Sequence, residues 1–542
     1  MKISQIKTAH SNKLVNDFIN GETNIKNFFN RSPLVKEAVE KRVQFLKTQQ
    51  YKRSELVDAL LSFHKKYDAG EQAVQNVQKL LNDDTLVVIG GQQAGLLTGP
   101  LYSIHKIISI INLAKKYEED YGLSVVPVFW IAGEDHDLDE INHVFIQMKN
   151  QIKKQTYFER NSSAYSASKT ILDQNELRKW LTKIFESYEE TNYSNELLKL
   201  VEEIAVGSET FVDFFAKLSF RLFEKEGLVL IDADDEVVRQ IESKMFGEMI
   251  CKQVEVRHAL KTTQTKLIEE GYQQSLHIAE NSIHLFYHAN EGRQLLEVNE
   301  DNELFMTKNK QYRFTKDELL QLASEKPHFL SNNVVTRPVM QEFLFPTLAF
   351  VGGPGEIAYW AELKEVFNVF QMEMPPVFLR HSFTIIERNI LSAMNDFHVE
   401  IEDIFSPAFT ELKEKWLQNE LKINYKEKIQ AVREQIKEIH VPLQKMVAET
   451  TPNLKDFAKE NYRKIDEQLS FIEKKMEQTI EKQHSEQIQK WDRILNQLCP
   501  NNKPQERVWN VFYYLNKYGL NFVHDLCSLE LTWDNEQQIV LM

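Results

Sequence analysis

Cysteine is scarce. The 542-residue chain carries three, Cys251, Cys499 and Cys527, and no Cys-x-x-Cys pair. That excludes a disulfide framework and gives no support to a zinc site, so each thiol is expected to be buried or idle. Long apolar runs are missing too. None approaches the roughly 18 residues of a membrane span, and the opening segment 1–22 mixes charged and polar residues too early for a signal-peptide core. The expectation is a soluble, cytoplasmic protein with no membrane partner. Positive charge is in deficit: 65 Lys and Arg against 80 Asp and Glu leave a net −15, which argues against nucleic acid as a partner. Two phosphate-binding signatures also fail. There is no Gly-x-Gly-x-x-Gly, and although Gly90 and Gly95 have P-loop spacing, Leu96 and Leu97 stand where Lys and Ser/Thr are required.

What the chain does have is a strand, a glycine loop and a helix, in that order, more than once. Thr85 to Ile89 is a β-branched run suited to a parallel sheet buried on both faces, and Gly90 and Gly91 are expected to end it. Gly95 and Gly99 keep the loop open, Thr98 sits where an N-cap belongs and Pro100 near the first helical position. The helix N-terminus at Tyr102 would then favour an anion such as a carboxylate or phosphate. Gln92, Gln93, Thr98, Tyr102 and His105 crowd hydrogen-bonding groups around that loop, although a tight turn without a ligand has the same pattern.

A second junction runs from the strand Val125 to Ala132, which contains Trp130, into Gly133-Glu134-Asp135-His136-Asp137-Leu138-Asp139-Glu140. Five carboxylates and an imidazole thus gather beyond the carboxyl end of a strand, where open α/β sheets bind ligands. One imidazole flanked by carboxylates is weak support for a transition metal, and no metal ligand is assigned. The third junction leads from Thr347–Val351 into Gly352, Gly353, Gly355, Glu356, Tyr359 and Trp360. The three together predict a single composite crevice.

Further strands are predicted at Leu228 to Ile231 and at Pro376 to Leu379, completing an α/β fold with a parallel sheet and helical crossovers. The divisions read as 1–255, a helical lead-in with the first half of the core; 256–325, an inserted module with short strands at Ile283–His288, Gln294–Val298 and Tyr312–Phe314; and 326–386, the second half of the core. In 387–500, Tyr425, Ile429, Val432, Ile436, Ile439, Leu443 and Met446 step by four and three. After a break at Thr450-Thr451-Pro452 the pattern resumes with Leu454, Phe457, Ile465, Leu469, Ile472 and Met476, predicting a long antiparallel coiled-coil hairpin kinked at Pro442. Its exposed flank offers a surface for a second copy of the chain. A C-terminal helix, 501–542, returns to the core.

The stretches GGQQAGLLTGPLYSIHK, VFWIAGEDHDLDEINH and FVGGPGEIAYW, followed by a long coiled coil, resemble the bacillithiol biosynthesis cysteine-adding enzyme family, often called BshC, over nearly the whole chain. The resemblance implies a Rossmann-like core similar to class I aminoacyl-tRNA synthetases, with connecting-peptide insertions and a coiled-coil domain used for dimerisation. It implies a ligase that joins the carboxyl group of L-cysteine to the amine of glucosaminyl-malate, the last step of bacillithiol biosynthesis. Where those synthetases carry His-x-Gly-His, this chain has Gly99-Pro100-Leu101-Tyr102 with His105-Lys106 a turn later, and Arg380-His381-Ser382 stands in for the lysine-rich second loop.

Under that resemblance, Gln92, Gln93, Thr98, Gly99 and Tyr102 would hold an anionic group, with His105 as acid or base and Lys106 as a charge clamp. Glu134, Asp135, His136 and Asp137 would bind the cysteine ammonium, deprotonate the attacking amine or hold Mg²⁺. Trp130, Gly352, Gly353, Gly355 and Glu356 would shape the crevice walls, Tyr359 and Trp360 would stack on sugar or adenine, and Arg337, Arg380 and Ser382 would meet malate. ATP or ADP is the implied cofactor, with a second nucleotide site at Arg507, Asn510 and Tyr514. Two other readings stay open: a nucleotidyltransferase activating a different amino acid, and a non-catalytic coiled-coil ligand sensor.

Overall fold

The computed structural model describes residues 1–30, 34–148, 151–158, 165–277, 279–421 and 424–542. They form two compact units, one comprising 1–148, 152–385 and 504–541, the other essentially 386–503. The first is built on five parallel strands, β1 (Thr85–Gln92), β2 (Ser124–Ile131), β3 (Val229–Asp232), β4 (Thr347–Gly352) and β5 (Val377–Leu379). Their spatial order is 3-2-1-4-5, the doubly wound order without its sixth strand, with the topological switch point between β1 and β4. Val87, Val88, Ile89, Val126, Val128 and Phe129 are wholly buried, as strands covered on both faces require.

Gly90 and Gly91 do not end β1; they lie inside it, paired with Phe129 and Trp130. Their role is packing. A Cβ at Gly90 would stand 2.6 Å from the Val351 carbonyl oxygen, and one at Gly91 would stand 2.5 Å from that of Trp130. The long crossover helix α1 (Leu101–Tyr121) is buried nearly all round by isoleucines at 104, 107, 108, 110 and 111, and stops at Gly122 in the left-handed region. Thr98 is not its N-cap. It is fully buried with φ +68°, its hydroxyl has no partner, and Pro100 holds the cap position instead.

The N-terminal lead-in is not purely helical either: Lys2–Ile6 is a strand, paired antiparallel with Gln537–Leu541 from the other end of the chain. The final segment is accordingly two short helices, Val511–Tyr518 and Asn521–Cys527, followed by that strand rather than one returning helix. Between β3 and β4 sits an antiparallel sheet of five strands, not three: Ser282–Ala289, Gly292–Val298, Leu304–Thr307, Arg313–Thr315 and Leu330–Asn332. The last returns beside the first, so the sheet hands the chain directly to the helix Arg337–Leu344 and back to the core.

In the second unit, α2 (Tyr425–Thr450) and α3 (Lys455–Gln483) form the expected hairpin around the turn Pro452–Leu454. Pro442 lies within a continuous helix. The apolar seam also divides. Tyr425, His440, Ala458 and Ile480 are buried, and Arg433 reaches across to Asp466 at 2.8 Å and Glu473 at 3.3 Å. Ile439, Phe457 and Phe471, by contrast, are 76%, 66% and 64% exposed, with Val432, Leu443, Met446 and Ile472 also open to solvent. Among the described residues no helix is long and apolar enough to cross a membrane.

Candidate active site

The tightest turn of the core lies just past β2. The Ala132 amide donates to the Gln92 carbonyl at 3.0 Å and Gly133 to that of Ile131 at 2.8 Å. Gly133 is obligatory there, since a methyl group would overlap the Asp232 carboxylate and the Ser168 hydroxyl. The acidic loop is then shaped by Asp135, whose Oδ1 accepts from the His136 and Asp137 amides at 2.8 and 3.3 Å. Gln93 pins both ends of the loop, its Nε2 donating to Asp135 Oδ2 and to Glu140 Oε2, each at 2.8 Å.

Glu134, Asp135, His136, Asp137 and Glu140 line a cavity of about 840 Å³ together with Arg337 and, from the inserted sheet, Phe286, Arg293, Lys308 and Asn332. The imidazole of His136 is half-buried, with Nδ1 3.8 Å from Asp135 Oδ1 and its ring edge-on to Phe286. Burial, then the nearby Arg293 guanidinium, lowers its pKa, so it is neutral near pH 7 and able to accept a proton. Glu134 is buried with Oε2 unpartnered, and burial raises its pKa against the pull of Arg239 and Arg293. Arg337 hydrogen-bonds the Tyr359 hydroxyl. Arg293, Asn332 and Phe286 were not singled out in the sequence; they reach the cavity only through the pairing of the inserted strands.

The three glycine junctions therefore do not share this one cavity. The second lines it, the first is tied to it by Gln93, and the third closes on α1. Lys106 is buried and donates to the Gly91 carbonyl at 2.6 Å, to Gln92 Oε1 at 3.1 Å and to Glu356, which in turn accepts from the Gly353 amide at 2.8 Å. That buried pair ties α1 to the helix Pro354–Trp360 and leaves no charge clamp for a substrate. His105 is fully buried, its Nδ1 3.0 Å from Glu506 Oε2 and its ring against Phe383; burial lowers its pKa. Its Nε2 is buried without a partner, and the ring does not line the cavity beyond β2. Arg380 is likewise committed, gripping Glu506 through both Nη atoms at 2.7 and 2.5 Å and donating to Ser382 Oγ at 3.0 Å, so neither side chain is free for malate.

Trp130 and Trp360 are core residues, the latter stacked on Phe350 with centroids 4.1 Å apart, and neither offers a stacking face. Tyr102 remains half-buried below Arg380, at 5.9 Å from ring centroid to guanidinium carbon. The anion cradle expected at the start of α1 is filled by the chain itself: the Leu101 amide donates to the Trp509 carbonyl at 2.9 Å, and Asn510 Nδ2 donates to the Leu97 and Gly99 carbonyls at 2.7 and 2.6 Å. Asn510 is thus a buried latch, Tyr514 is buried against Phe522, and of the proposed nucleotide-binding trio only Arg507 stands at the surface. No cluster of three or more metal-ligating side chains occurs among the described residues.

Comparison with known proteins agrees with this architecture. Residues 1–381 match the bacillithiol biosynthesis BshC N-terminal Rossmann-like domain, and residues 383–542 match its C-terminal coiled-coil domain. A relative from Bacillus cytotoxicus, named "Putative cysteine ligase BshC", is 42% identical over 527 residues, 97% of each chain. Relatives of the same name from Bacillus cereus and Bacillus thuringiensis are 41% identical over 540 residues, the whole of each chain. The chain belongs to the bacillithiol biosynthesis BshC family, a family of ligases.

Proposed function

We propose that this protein joins the carboxyl group of L-cysteine to the amine of glucosaminyl-malate, completing bacillithiol in the cytoplasm. The observation that carries the reading is the placement of His136 and Asp135 at the carboxyl end of β2, inside a cavity of about 840 Å³ to which the inserted sheet brings Arg293, 3.8 Å from Asp135. That volume lies within the range of about 300–1,000 Å³ usual for small-molecule sites. An amine attacks only when neutral. Asp135 attracts its ammonium form, which gives up one proton to water before attack, and neutral His136 takes the second as nitrogen closes on the carbonyl carbon. The C–N bond forms, the bond from that carbon to its leaving group breaks, and the proton rests on the imidazole.

Amide formation from a free carboxylate is uphill in water, so the cysteine carboxyl must be activated. ATP with Mg²⁺ is proposed as the source on that chemical ground alone, and no step above depends on where either binds. The exposed apolar stripe of the hairpin, from Ile439 to Phe471, is proposed to cover the same stripe of a second copy, making a homodimer.

The test is to mix purified protein with glucosaminyl-malate and L-cysteine, with and without ATP and Mg²⁺, and follow bacillithiol by mass spectrometry. Product that requires ATP, and that falls at least about a hundredfold in His136→Gln while glucosaminyl-malate still binds, supports the reading. No product under either condition, or wild-type rate in His136→Gln, overturns it or its base.

A further inference from the structure

The cavity is polarised. Its core side carries Glu134, Asp135, Asp137 and Glu140; the inserted sheet and the segment leaving it supply Arg293, Lys308 and Arg337, with Glu297 the carboxylate on that side. Arg293 is the best anchored of these cations. Its side chain is 8% exposed, Nε donates to Ser331 Oγ at 3.0 Å, Nη2 donates to the Asn332 carbonyl at 2.5 Å, and the guanidinium lies over the Phe286 ring at 3.9 Å. Ser331 Oγ is itself held by His288 Nε2 at 2.8 Å. Nη1 lies 3.8 Å from Asp135 Oδ1, beyond hydrogen-bond reach.

Beside it stands a pair of asparagines with opposite fates. Asn333 is fully used: Oδ1 accepts from the Val335 amide at 2.8 Å and from the Thr336 amide at 3.3 Å, and Nδ2 meets His284 Nδ1 at 3.3 Å. Asn332 is 2% exposed, lines the cavity, and has no partner for either Oδ1 or Nδ2. A buried amide with nothing to bond is a standing cost in a folded chain. An orphan amide next to a guanidinium with free N–H groups is what a ligand carboxylate needs, because two fixed donors match its two oxygens.

We infer that Arg293 and Asn332 form the subsite that recognises a carboxylate of the malyl arm of the acceptor, so that the inserted sheet, and not the Rossmann-like core, selects that substrate. This rests on the function proposed above. The acceptor then lies across the cavity, its amine toward the acidic core loop and its anionic arm toward the inserted sheet, which fixes the direction from which nitrogen reaches the cysteine carbonyl.

Asn332→Leu is the decisive variant, since it preserves size and removes an unsatisfied amide, leaving the fold at least as stable. Arg293→Lys keeps the charge and loses the fork. Calorimetric titration with glucosaminyl-malate, and with methyl glucosaminide as the analogue lacking the malyl arm, is expected to show about ten- to a hundredfold weaker binding of the first in both variants and no change for the second. The KM for L-cysteine should stay at its wild-type value. Unchanged binding of glucosaminyl-malate in both variants, or equal weakening toward both ligands, overturns the assignment. Titration needs no turnover, so the two ideas separate. A chain that makes bacillithiol at wild-type KM with Leu in place of Asn332 keeps the function and loses the subsite, while selective loss of malyl-arm binding without any bacillithiol keeps the subsite and overturns the function.

Discussion

Replacing Glu506 with alanine tests whether Arg380 and His105 hold the core together or serve the substrate. The Glu506 carboxylate is enclosed, accepts from both terminal nitrogens of Arg380 and lies 3.0 Å from His105 Nδ1. Removing it strands a buried guanidinium, which is 4% exposed, beside a fully buried imidazole. Breaking a buried pair from one side costs about 3–5 kcal/mol, whereas replacing both partners with apolar groups costs far less. Glu506→Ala should therefore lose that amount in urea unfolding of the core unit, and the double variant Glu506→Leu/Arg380→Met should recover much of it. The pair also has a pH signature. Although burial opposes ionisation, Arg380 and the His105 hydrogen bond hold the Glu506 carboxyl well below the usual carboxylate range. A depressed folded-state pKa gives stability that is present above the unfolded value of about 4.3 and lost as pH falls below it. Glu506→Ala should lack that acid-side loss. The reasoning is refuted if Glu506→Ala costs under about 1 kcal/mol, or if Arg380→Met leaves stability untouched while raising the KM for glucosaminyl-malate.

Gly90→Ala places a methyl against the backbone oxygen of Val351, which cannot rotate away, and should cost about 1–3 kcal/mol in denaturant unfolding; a neutral result would mean that β1 and β4 are more loosely joined than the structure shows. Asp232, buried beside Asp234, has its pKa pushed up to about 8. Its folded form keeps a proton that the unfolded chain releases near pH 3.9, so its own contribution to stability is greatest below that pH and declines by up to about 1.4 kcal/mol per pH unit until about pH 8. Asp232→Asn should flatten that decline in thermal unfolding followed across the same range, and an unchanged profile would show that the group is ionised in the fold. Ile439→Lys combined with Phe471→Glu should convert a dimer to a monomer by light scattering while leaving the core's unfolding transition in place; a monomeric wild-type chain would remove the proposed role of the exposed stripe.

The core strands were legible because a strand covered on both faces must be a short β-branched run, and Thr85–Ile89, Val125–Ala132 and Thr347–Val351 have few other uses. Gly90 and Gly91 misled for a physical reason: glycine marks both a turn and a close approach of backbones, and only the neighbouring strands decide which applies. His105 and Lys106 misled because their meaning lies with distant partners. Glu506 is 401 residues from His105 and Glu356 is 250 from Lys106, so no local pattern reveals that both side chains are neutralised. The heptads announced helix pairing but not which of the apolar residues would face the partner helix. Of the site itself, the acidic loop could be read from its position after a strand. Arg293 and Asn332 could not, since their place depends on the register of an inserted sheet whose strands Leu304–Thr307 and Leu330–Asn332 carry weak local signals.

The position of the cavity follows from what fills the rest of the fold. In a doubly wound sheet the natural ligand site is the switch point, here between the carboxyl ends of β1 and β4. That place is taken by the protein's own charges: Lys106 Nζ sits on the carbonyl of Gly91 and pairs with Glu356 beyond β4, while Asn510 and Trp509 satisfy the backbone groups where α1 begins. Unmet polar groups remain near the start of α1, at Thr98 Oγ1 and His105 Nε2, and past β2, where Glu134 Oε2 lacks a partner and Asn332, contributed by the inserted sheet, lacks one as well. What sets the end of β2 apart is a cavity in which Arg293 and Lys308 of the inserted sheet, with Arg337, meet the acidic loop. The proposed acceptor, with an amine at one end and carboxylates at the other, carries charges complementary to both groups of residues.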